Sequence, residues 1–262
     1  MQEMNGQIAL VTGAGRGIGS AIAKSLAKEG ATVIVNYAGN AQAAQDTVDS
    51  ILKDGGSAEK YQCDVSDFAA VEEMIKYIVQ KYEKIDILVN NAGFGLFGNF
   101  TETDLSKELN MIDINIKAVH ILTKLFLKDM KRKNKGYILN VASSAAFQSG
   151  PLMATYYSTK SYVYRLTEAI NYENKKDKVN VQVSCLCPGP VDTNFNKVAG
   201  VRFSVKPLKA DYVAKYAIDQ MLKGKMLIIP GFKMKCAKFF GRFVSDKKLM
   251  AITYRIQKKK VK

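Results

Sequence analysis

Seven short apolar runs alternate with longer amphipathic stretches along most of this 262-residue chain, and this alternation constrains the fold more than any other feature. The apolar runs are rich in Val and Ile and have the length of buried strands, whereas the stretches between them have the length of helices. Strands joined through helices are parallel, and right-handed crossovers build them into a doubly wound sheet. The sequence therefore predicts one α/β domain with strands at 8–11, 32–36, 59–63, 86–90, 137–142, 181–186 and 226–229.

A glycine-rich turn, TGAGRGIG, spans Thr12 to Gly19 directly after the first predicted strand and leads into a helical stretch. Glycines let the backbone turn tightly and approach a pyrophosphate that rests on the helix N-terminal amides. A tight strand-to-helix connection with no ligand would have the same composition. Its position after the first strand favours a dinucleotide-binding fold of the Rossmann type, whose ligand crevice lies at the carboxyl ends of the strands.

The end of the second strand indicates which dinucleotide is bound. A protein specific for NAD usually places an acid there for the ribose 2′-hydroxyl, but this chain has Asn36 and Tyr37. Arg16 lies inside the glycine turn, where a guanidinium would suit a 2′-phosphate, although it could also be a solvated surface charge. We expect NADP(H) as the cofactor, with NAD(H) the less favoured alternative.

The pattern YxxxK occurs four times, at Tyr77, Tyr156, Tyr172 and Tyr254, so it has little specificity by itself. Only Tyr156 has a serine thirteen residues upstream, Ser143, which closes the fifth predicted strand. Tyr156 and Lys160 are four residues apart and therefore share one face of the next helix. The spacing favours this one set as catalytic.

These residue types suit the reduction of a ketone. Negative charge develops on the carbonyl oxygen as hydride arrives, and it must be met by a hydrogen-bond donor and a proton. A tyrosine can supply the proton, but its pKa of about 10 is high for exchange at neutral pH. A neighbouring ammonium favours the phenolate, so Lys160 would assist Tyr156 while Ser143 holds the oxygen. The alternative is that both are ordinary helix residues.

Taken together, these motifs resemble the short-chain dehydrogenase/reductase family over about residues 5–230. Asp64-Val65, the run NNAG at 90–93 and the segment PGPVDT at 188–193 are similar to further family motifs. The resemblance implies a catalytic tetrad of Asn115, Ser143, Tyr156 and Lys160. It also implies cofactor contacts from Gly13, Arg16, Gly17, Ile18, Gly19, Asn36, Tyr37, Asp64, Val65, Asn91, Gly93, Tyr156, Lys160, Val191 and Thr193.

The resemblance further implies a homo-oligomer, at least a dimer, in which the helices carrying Asn115 and Tyr156 pair across a two-fold axis. The first third, notably VNYAGN, is similar to 3-oxoacyl-carrier-protein reductases, whereas the ending is more similar to steroid-type members of the family. Apolar side chains beside the tetrad motifs predict a hydrophobic ketone or alcohol as substrate, with core packing as the alternative role for each. They are Phe94, Phe147, Met153, Pro190 and Phe195. A non-catalytic NADP(H)-binding regulator on the same fold is the alternative function.

The positive charge is concentrated at the C-terminus. The net charge is +15, and from Gly231 onward eleven Lys and Arg face one acid, Asp246, so we divide the chain into a domain at 1–230 and a basic extension at 231–262. No nucleic-acid-binding module is recognisable, so we expect no nucleic-acid partner. The four cysteines lack a metal-ligand spacing, and we expect no metal site. With no membrane span or leader segment in the sequence, we expect a cytoplasmic protein.

The basic extension has an amphipathic pattern. Cys236, Phe239, Phe240, Phe243 and Val244 fit one face of a single helix, and Leu249, Ile252 and Ile256 continue in the same style. This face could pack on the substrate mouth or on a partner subunit, or it could lie on an anionic membrane surface, or the segment could be disordered. The sequence leaves these alternatives open.

Overall fold

The structure of the protein is a computed structural model, which describes residues 3–195, 199–200 and 206–258. Seven parallel strands form one sheet in the order β3-β2-β1-β4-β5-β6-β7. The strands are β1 (Ile8–Val11), β2 (Thr32–Tyr37), β3 (Ser57–Gln62), β4 (Ile87–Asn90), β5 (Gly136–Val141), β6 (Val181–Leu186) and β7 (Leu227–Ile228). All seven predicted strands are present, with ends that differ by up to two residues. The predicted doubly wound α/β fold is confirmed.

Helices cover both faces of the sheet. They are α1 (Gly17–Lys28), α2 (Ala41–Lys53), α3 (Phe68–Tyr82), α4 (Leu105–Ile112), α5 (Val119–Lys133), α6 (Ala154–Lys176), α7 (Ala210–Leu222), α8 (Phe232–Gly241) and α9 (Asp246–Lys258). A π-helix (Asp113–Ala118) joins α4 to α5, and a short 3₁₀ helix (Ser144–Phe147) follows β5. No helix in the described ranges is long and apolar enough to cross a membrane.

The continuous apolar runs of the central strands follow from this layering. Successive side chains of a strand point to opposite faces, so a strand covered on both faces must be apolar throughout. In β1, Ala9 and Val11 pack with α1, α2 and α7 on one face, while Ile8 and Leu10 pack with α3 and α5 on the other. The edge strand β3 is half exposed and carries polar residues, as solvated sheet edges commonly do.

A buried polar network fixes the ends of β4 and β5 near the site. Asn140 accepts a hydrogen bond from Asn90 Nδ2 at 2.8 Å and from Thr123 Oγ1 at 3.3 Å, and its own Nδ2 donates to Thr167 Oγ1 at 3.0 Å. Buried amides are expensive unless paired, and here they tie two strands to α5 and α6. The network therefore holds the strand ends in register with the helices that carry the site.

The C-terminal extension forms two helices rather than the single helix that the apolar pattern predicts. Helix α8 ends at Gly241, and the backbone then makes short-range turns in which Phe243 N donates to Phe240 O and Val244 N donates to Gly241 O. Glycine is a poor helix former, and Ser245 followed by Asp246 is a typical helix start. Phe243 and Val244 therefore lie in the turn between α8 and α9.

Candidate active site

The glycine turn is shaped by close backbone contacts. Gly13 and Gly17 have φ values of +61° and +60°, a conformation that other residues seldom adopt. A Cβ added at Gly19 would contact Asn91 Nδ2 and lie 2.6 Å from Gly13 O. Asn91 Nδ2 in turn donates to Thr12 O at 2.9 Å and Gly13 O at 3.0 Å. The end of β4 therefore holds the turn against the start of α1.

The N-terminus of α1 opens into a cavity with a volume of about 580 Å³. Arg16 is the residue before the helix, and its side chain makes no capping hydrogen bond. The first-turn amides of Gly17, Ile18 and Gly19 have no earlier turn to bond, so they suit an anion such as a pyrophosphate. Arg16 is exposed and lines the same cavity. The residues present fit a dinucleotide phosphate.

Asn36 has a structural role that the sequence does not reveal. Its side chain is 1% exposed, accepts from Gly13 N at 3.2 Å and donates to Cys63 O at 2.9 Å. Asn36 lines the cavity. Its side-chain amide is nevertheless used for hydrogen bonds that connect β2 to the glycine turn and to the residue that follows β3. An aspartate at position 36 would place its carboxylate against the carbonyl oxygen of Cys63. Replacing Asn36 with Asp is therefore unsuited to changing the preference between NADPH and NADH.

Of the remaining residues predicted to contact the adenine side of the cofactor, two line the cavity and one does not. Asp64 and Val65 line the cavity, and Asp64 Oδ1 accepts from Ser66 N at 2.9 Å and Ser66 Oγ at 2.7 Å. Tyr37 does not line it, because strand alternation turns its ring onto the apolar core on the face of the sheet that α1, α2 and α7 cover. Ala38, one residue further, lines the cavity in its place.

Three of the four predicted catalytic side chains converge on this cavity from two elements, whereas Asn115 does not line it. Ser143 follows β5, and its Oγ accepts from Ala145 N at 3.1 Å at the start of the 3₁₀ helix. Tyr156 and Lys160 come from the first turns of α6, and the Lys160 Nζ lies 5.9 Å from the Tyr156 ring centroid. All three line the cavity.

The other YxxxK tyrosines lie elsewhere. Tyr77 is at the surface beside Glu59, Tyr172 is 62% exposed, and Tyr254 is 41% exposed. None of the three lines the cavity, whereas Tyr156 does. The thirteen-residue spacing to a serine therefore selects the one pair that the fold brings to the glycine turn.

Burial perturbs both titrating groups of the site. Tyr156 is 8% exposed, and burial raises its pKa to about 12, with a hydrogen bond involving Ser143 acting in the opposite direction. Burial lowers the pKa of Lys160 to about 8, although its ammonium donates to Val141 O at 3.0 Å. Desolvation disfavours the charged form of each group, so at neutral pH the tyrosine is protonated and the lysine is close to its titration range.

Asn115 lies in the π-helix, and its side chain is fully engaged. Its Oδ1 accepts from Phe94 N at 3.1 Å, and its Nδ2 donates to Phe94 O at 2.9 Å and Thr159 Oγ1 at 3.1 Å. A Cβ at Gly93 would lie 2.7 Å from Asn115 Oδ1 and 3.4 Å from Lys160 Nζ. The Asn115 side chain thus positions the segment beside Lys160, while its neighbour Ile114 lines the cavity.

Four of the five predicted substrate residues line the cavity. They are Phe94, Met153, Pro190 and Phe195, and the Phe195 ring lies 5.4 Å from that of Tyr156. Val191 and Thr193, predicted to contact the nicotinamide, line it as well. Phe147 does not: it packs edge-on against Tyr164 at 5.5 Å. The 3₁₀ helix that carries Phe147 turns its ring to α6 rather than to the cavity.

The cavity wall also includes residues that are not among the predicted site residues. Tyr157, Ile256 and Gln257 line it, and Gln257 Nε2 donates to Tyr157 OH at 2.7 Å across 100 residues of chain. Helix α9 is fixed there by a second bond, from Gln148 Nε2 to Thr253 Oγ1 at 2.6 Å. No local sequence pattern predicts these pairings. The one signal in the sequence is that Tyr157 directly follows Tyr156, which places it close to the site.

The described residues contain no group of His, Cys, Asp and Glu side chains able to hold a metal ion. The four cysteines are free, and three of them are buried, with the Sγ atoms of Cys185 and Cys187 3.7 Å apart. The side chains that the cavity offers for chemistry include those of Ser143, Tyr156 and Lys160.

Known proteins have sequences similar to most of this chain. The family model for short chain dehydrogenases matches residues 7–201. A 3-oxoacyl-[acyl-carrier-protein] reductase from Synechocystis sp. is 35% identical over 197 residues, which cover 75% of this chain and 79% of the relative. The match to the family model ends before α8 and α9.

Two solved structures have the same architecture. A short chain dehydrogenase/reductase from Burkholderia phymatum, in complex with NAD, aligns with a TM-score of 0.84 and 25% identity over 95% of this chain and 96% of that one. A metagenomic short-chain oxidoreductase, in complex with NADP, aligns with a TM-score of 0.73 and 27% identity over 88% of this chain and 100% of that one. The two neighbours thus hold different dinucleotides.

Proposed function

The chain belongs to the short-chain dehydrogenase family of NAD(P)-binding oxidoreductases, and on that premise we propose that it interconverts a hydrophobic ketone and a secondary alcohol with NADP(H). The observation that carries the proposal is the convergence of Ser143, Tyr156 and Lys160 on a cavity that is continuous with the glycine turn. The same cavity can therefore hold a dinucleotide whose phosphate lies at the N-terminus of α1 and a substrate whose carbonyl group lies at Tyr156.

In the reductive direction a bound nicotinamide would supply the hydride, while side chains of the protein stabilise the developing charge and supply the proton. Ser143 and Tyr156 hold the carbonyl oxygen, where negative charge develops, and Tyr156 OH gives it the proton. The raised pKa of Tyr156 keeps this proton in place at neutral pH until the oxygen becomes basic. In the oxidative direction the positive charge of Lys160 favours the phenolate that accepts the proton.

A matched pair of variants tests the catalytic proposal. Tyr156→Phe removes only the hydroxyl, and we expect the turnover number to fall by at least about a hundredfold, the usual scale for a general acid, while NADPH still binds. Tyr172→Phe removes the same atom from an exposed tyrosine of the same helix and should stay fully active. NADPH consumption with a panel of ketones measures both. Unimpaired turnover in Tyr156→Phe would refute the assignment, and NADPH binding without turnover on any ketone would favour a regulator.

Preference for NADPH is proposed on the basis of Arg16. Its guanidinium is exposed at the cavity, and no described acid at the end of β2 lines the cavity to bind a ribose 2′-hydroxyl. A charged contact to a 2′-phosphate contributes on the order of 1.5–3 kcal/mol, so NADPH should exceed NADH by at least about tenfold in kcat/KM. Arg16→Gln should remove this advantage by weakening NADPH and leaving NADH unchanged. Equal use of both cofactors by the unaltered protein would contradict the proposal.

The proposed substrates are hydrophobic carbonyl compounds such as steroid-like or 3-oxoacyl molecules. The support is the apolar lining of the cavity near Tyr156, which includes Phe94, Met153 and Phe195. A screen that includes both classes, with sugars as polar controls, tests this statement. Activity confined to the polar controls would contradict it.

A homo-oligomer is also proposed. Leu109, Ile112, Leu125 and Tyr162 are exposed apolar residues on α4, α5 and α6, the region that carries Asn115 and Tyr156. Pairing across a two-fold axis would cover them, because a symmetric contact places the same patch on both subunits. Light scattering should give at least the mass of a dimer, and a monomer at micromolar concentration would contradict the proposal.

A further inference from the structure

Helix α8 places its polar contacts inward and its aromatic residues outward. Lys238 lies over the rings of Phe147 and Tyr164, at 5.2 and 5.7 Å from their centroids, and Lys235 Nζ donates to Tyr216 OH at 2.9 Å. These contacts, together with Met234 packed against the Gly189 backbone, hold α8 on the domain. The phenylalanines are therefore not required to attach the helix.

Four phenylalanines form what we call the aromatic patch. They are Phe232, Phe239, Phe240 and Phe243, which are 80%, 56%, 63% and 76% exposed. Phe239 contacts the rings of Phe240 and Phe243 edge-on, with centroids 5.3 and 5.6 Å apart, so these three rings form a contiguous apolar area. Leaving several phenylalanines in water forfeits stabilisation that burial would provide, which indicates a surface with an occupant.

Positive charge surrounds the aromatic patch without acidic neutralisation. Lys233, Arg242, Lys247, Lys248 and Arg255 lie on or between α8 and α9, and none of them takes part in a salt bridge between described residues. Asp246 is the one acid in this part of the sequence. The occupant should therefore combine an apolar interior with negative charge at its surface.

Helix α9, unlike α8, contributes residues to the catalytic cavity. Its inward stripe of Thr253 and Gln257 is buried, and Ile256 and Gln257 line the catalytic cavity. The catalytic site therefore uses the inward side of α9, whereas it makes no use of the aromatic patch of α8.

We propose that the aromatic patch and its surrounding basic residues dock the protein on the surface of an anionic lipid bilayer. Phenylalanines would enter the boundary between headgroups and acyl chains, while the lysines and arginines would contact the anionic headgroups. A second copy of this chain fits less well, because a two-fold contact would bring two basic patches together in a protein of net charge +15. Single-stranded nucleic acid fits less well too, because it stacks on open ring faces and these rings pack edge-on.

Vesicle sedimentation with the full-length protein tests this proposal. The probes are vesicles of phosphatidylcholine alone and of phosphatidylcholine with phosphatidylglycerol, at low salt and at about 1 M salt, where charges are screened beyond roughly 3 Å. We expect co-sedimentation with the anionic vesicles, little with the neutral ones, and a marked loss at high salt. Absence of binding to anionic vesicles at low salt overturns the proposal.

Matched variants separate the two contributions. Phe239→Ser combined with Phe240→Ser should weaken vesicle binding by about tenfold or more, since each ring loses its apolar burial. Lys247→Gln combined with Lys248→Gln should weaken it and reduce its salt dependence. Tyr172→Ser, an exposed aromatic residue outside the patch, should bind as the unaltered protein does. Retained circular dichroism shows that each variant is folded.

Three outcomes would overturn the proposal. Full vesicle binding by the double phenylalanine variant would show that the aromatic patch is not used. A smaller mass of that variant in light scattering, with no vesicle binding by the unaltered protein, would assign the patch to a second copy. Binding of a single-stranded oligonucleotide that depends on the same phenylalanines, without vesicle binding, would assign it to nucleic acid.

Discussion

Lys160 is a charged side chain inside the protein, and replacing it should reveal what the site costs in stability. Burial lowers its pKa from 10.5 to about 8. The difference is about 2.5 pKa units, or about 3 kcal/mol, because one unit corresponds to about 1.4 kcal/mol. The cofactor-free protein therefore carries this cost at neutral pH, where the unfolded chain holds the proton in water.

The pH dependence follows from the two pKa values. Between about pH 8 and pH 10.5 the unfolded chain binds a proton at Lys160 that the folded protein lacks, so the free energy of unfolding rises with pH in this window. The cost is about 3 kcal/mol at about pH 7 and about 1 kcal/mol at about pH 9.5. Lys160→Met removes this titration. Its stability relative to the unaltered protein should therefore fall by about 2 kcal/mol between these pH values.

The absolute stability of the variant includes a second effect. Val141 O loses the hydrogen bond from Lys160, and a buried carbonyl left without a donor costs about 1–3 kcal/mol. This cost does not depend on pH, so it offsets the gain from removing the charge without altering the change with pH. We expect Lys160→Met to be about as stable as the unaltered protein or more stable at neutral pH, and to lose most of its turnover.

Urea unfolding of the cofactor-free protein at about pH 7 and about pH 9.5 measures this difference. The control is Lys176→Met, at the exposed end of the same helix, whose difference from the unaltered protein should be the same at both pH values. A Lys160→Met difference that stays constant, or that grows in favour of the variant as pH rises, would refute the reasoning.

Three further predictions concern the turn, the cavity wall and the buried network. Gly19→Ala would press a methyl group against Asn91 and Gly13 O, so we expect a loss of about 1–3 kcal/mol in thermal unfolding and weaker NADPH binding by fluorescence titration. Gln257→Leu removes the bond to Tyr157, so KM for the ketone should change while KM for NADPH does not, and equal changes in both would contradict this. Asn140→Leu removes the three buried hydrogen bonds that Asn140 makes with Asn90, Thr123 and Thr167, so urea unfolding should show a loss of at least about 2 kcal/mol.

The sequence by itself predicts the parts of this protein that depend on neighbours along the chain. Apolar runs become strands because both faces of the sheet are covered, and the glycine turn follows β1 because only glycine tolerates its conformation and close contacts. The spacing from Ser143 to Tyr156 and Lys160 is likewise local, since one strand, one short helix and the first turns of α6 contain all three.

Only the tertiary structure decides which side chains face the cavity when their contacts join distant segments. Asn36 is turned inward by Gly13 and Cys63, Phe147 is turned to Tyr164, and Gln257 reaches Tyr157 across 100 residues. The tail shows the same limit, because its apolar period is correct within α8 but gives neither the break after Gly241 nor the side that faces the domain. Periodicity fixes which residues share a face of a helix, whereas the partner of that face is set by the packing of the whole chain.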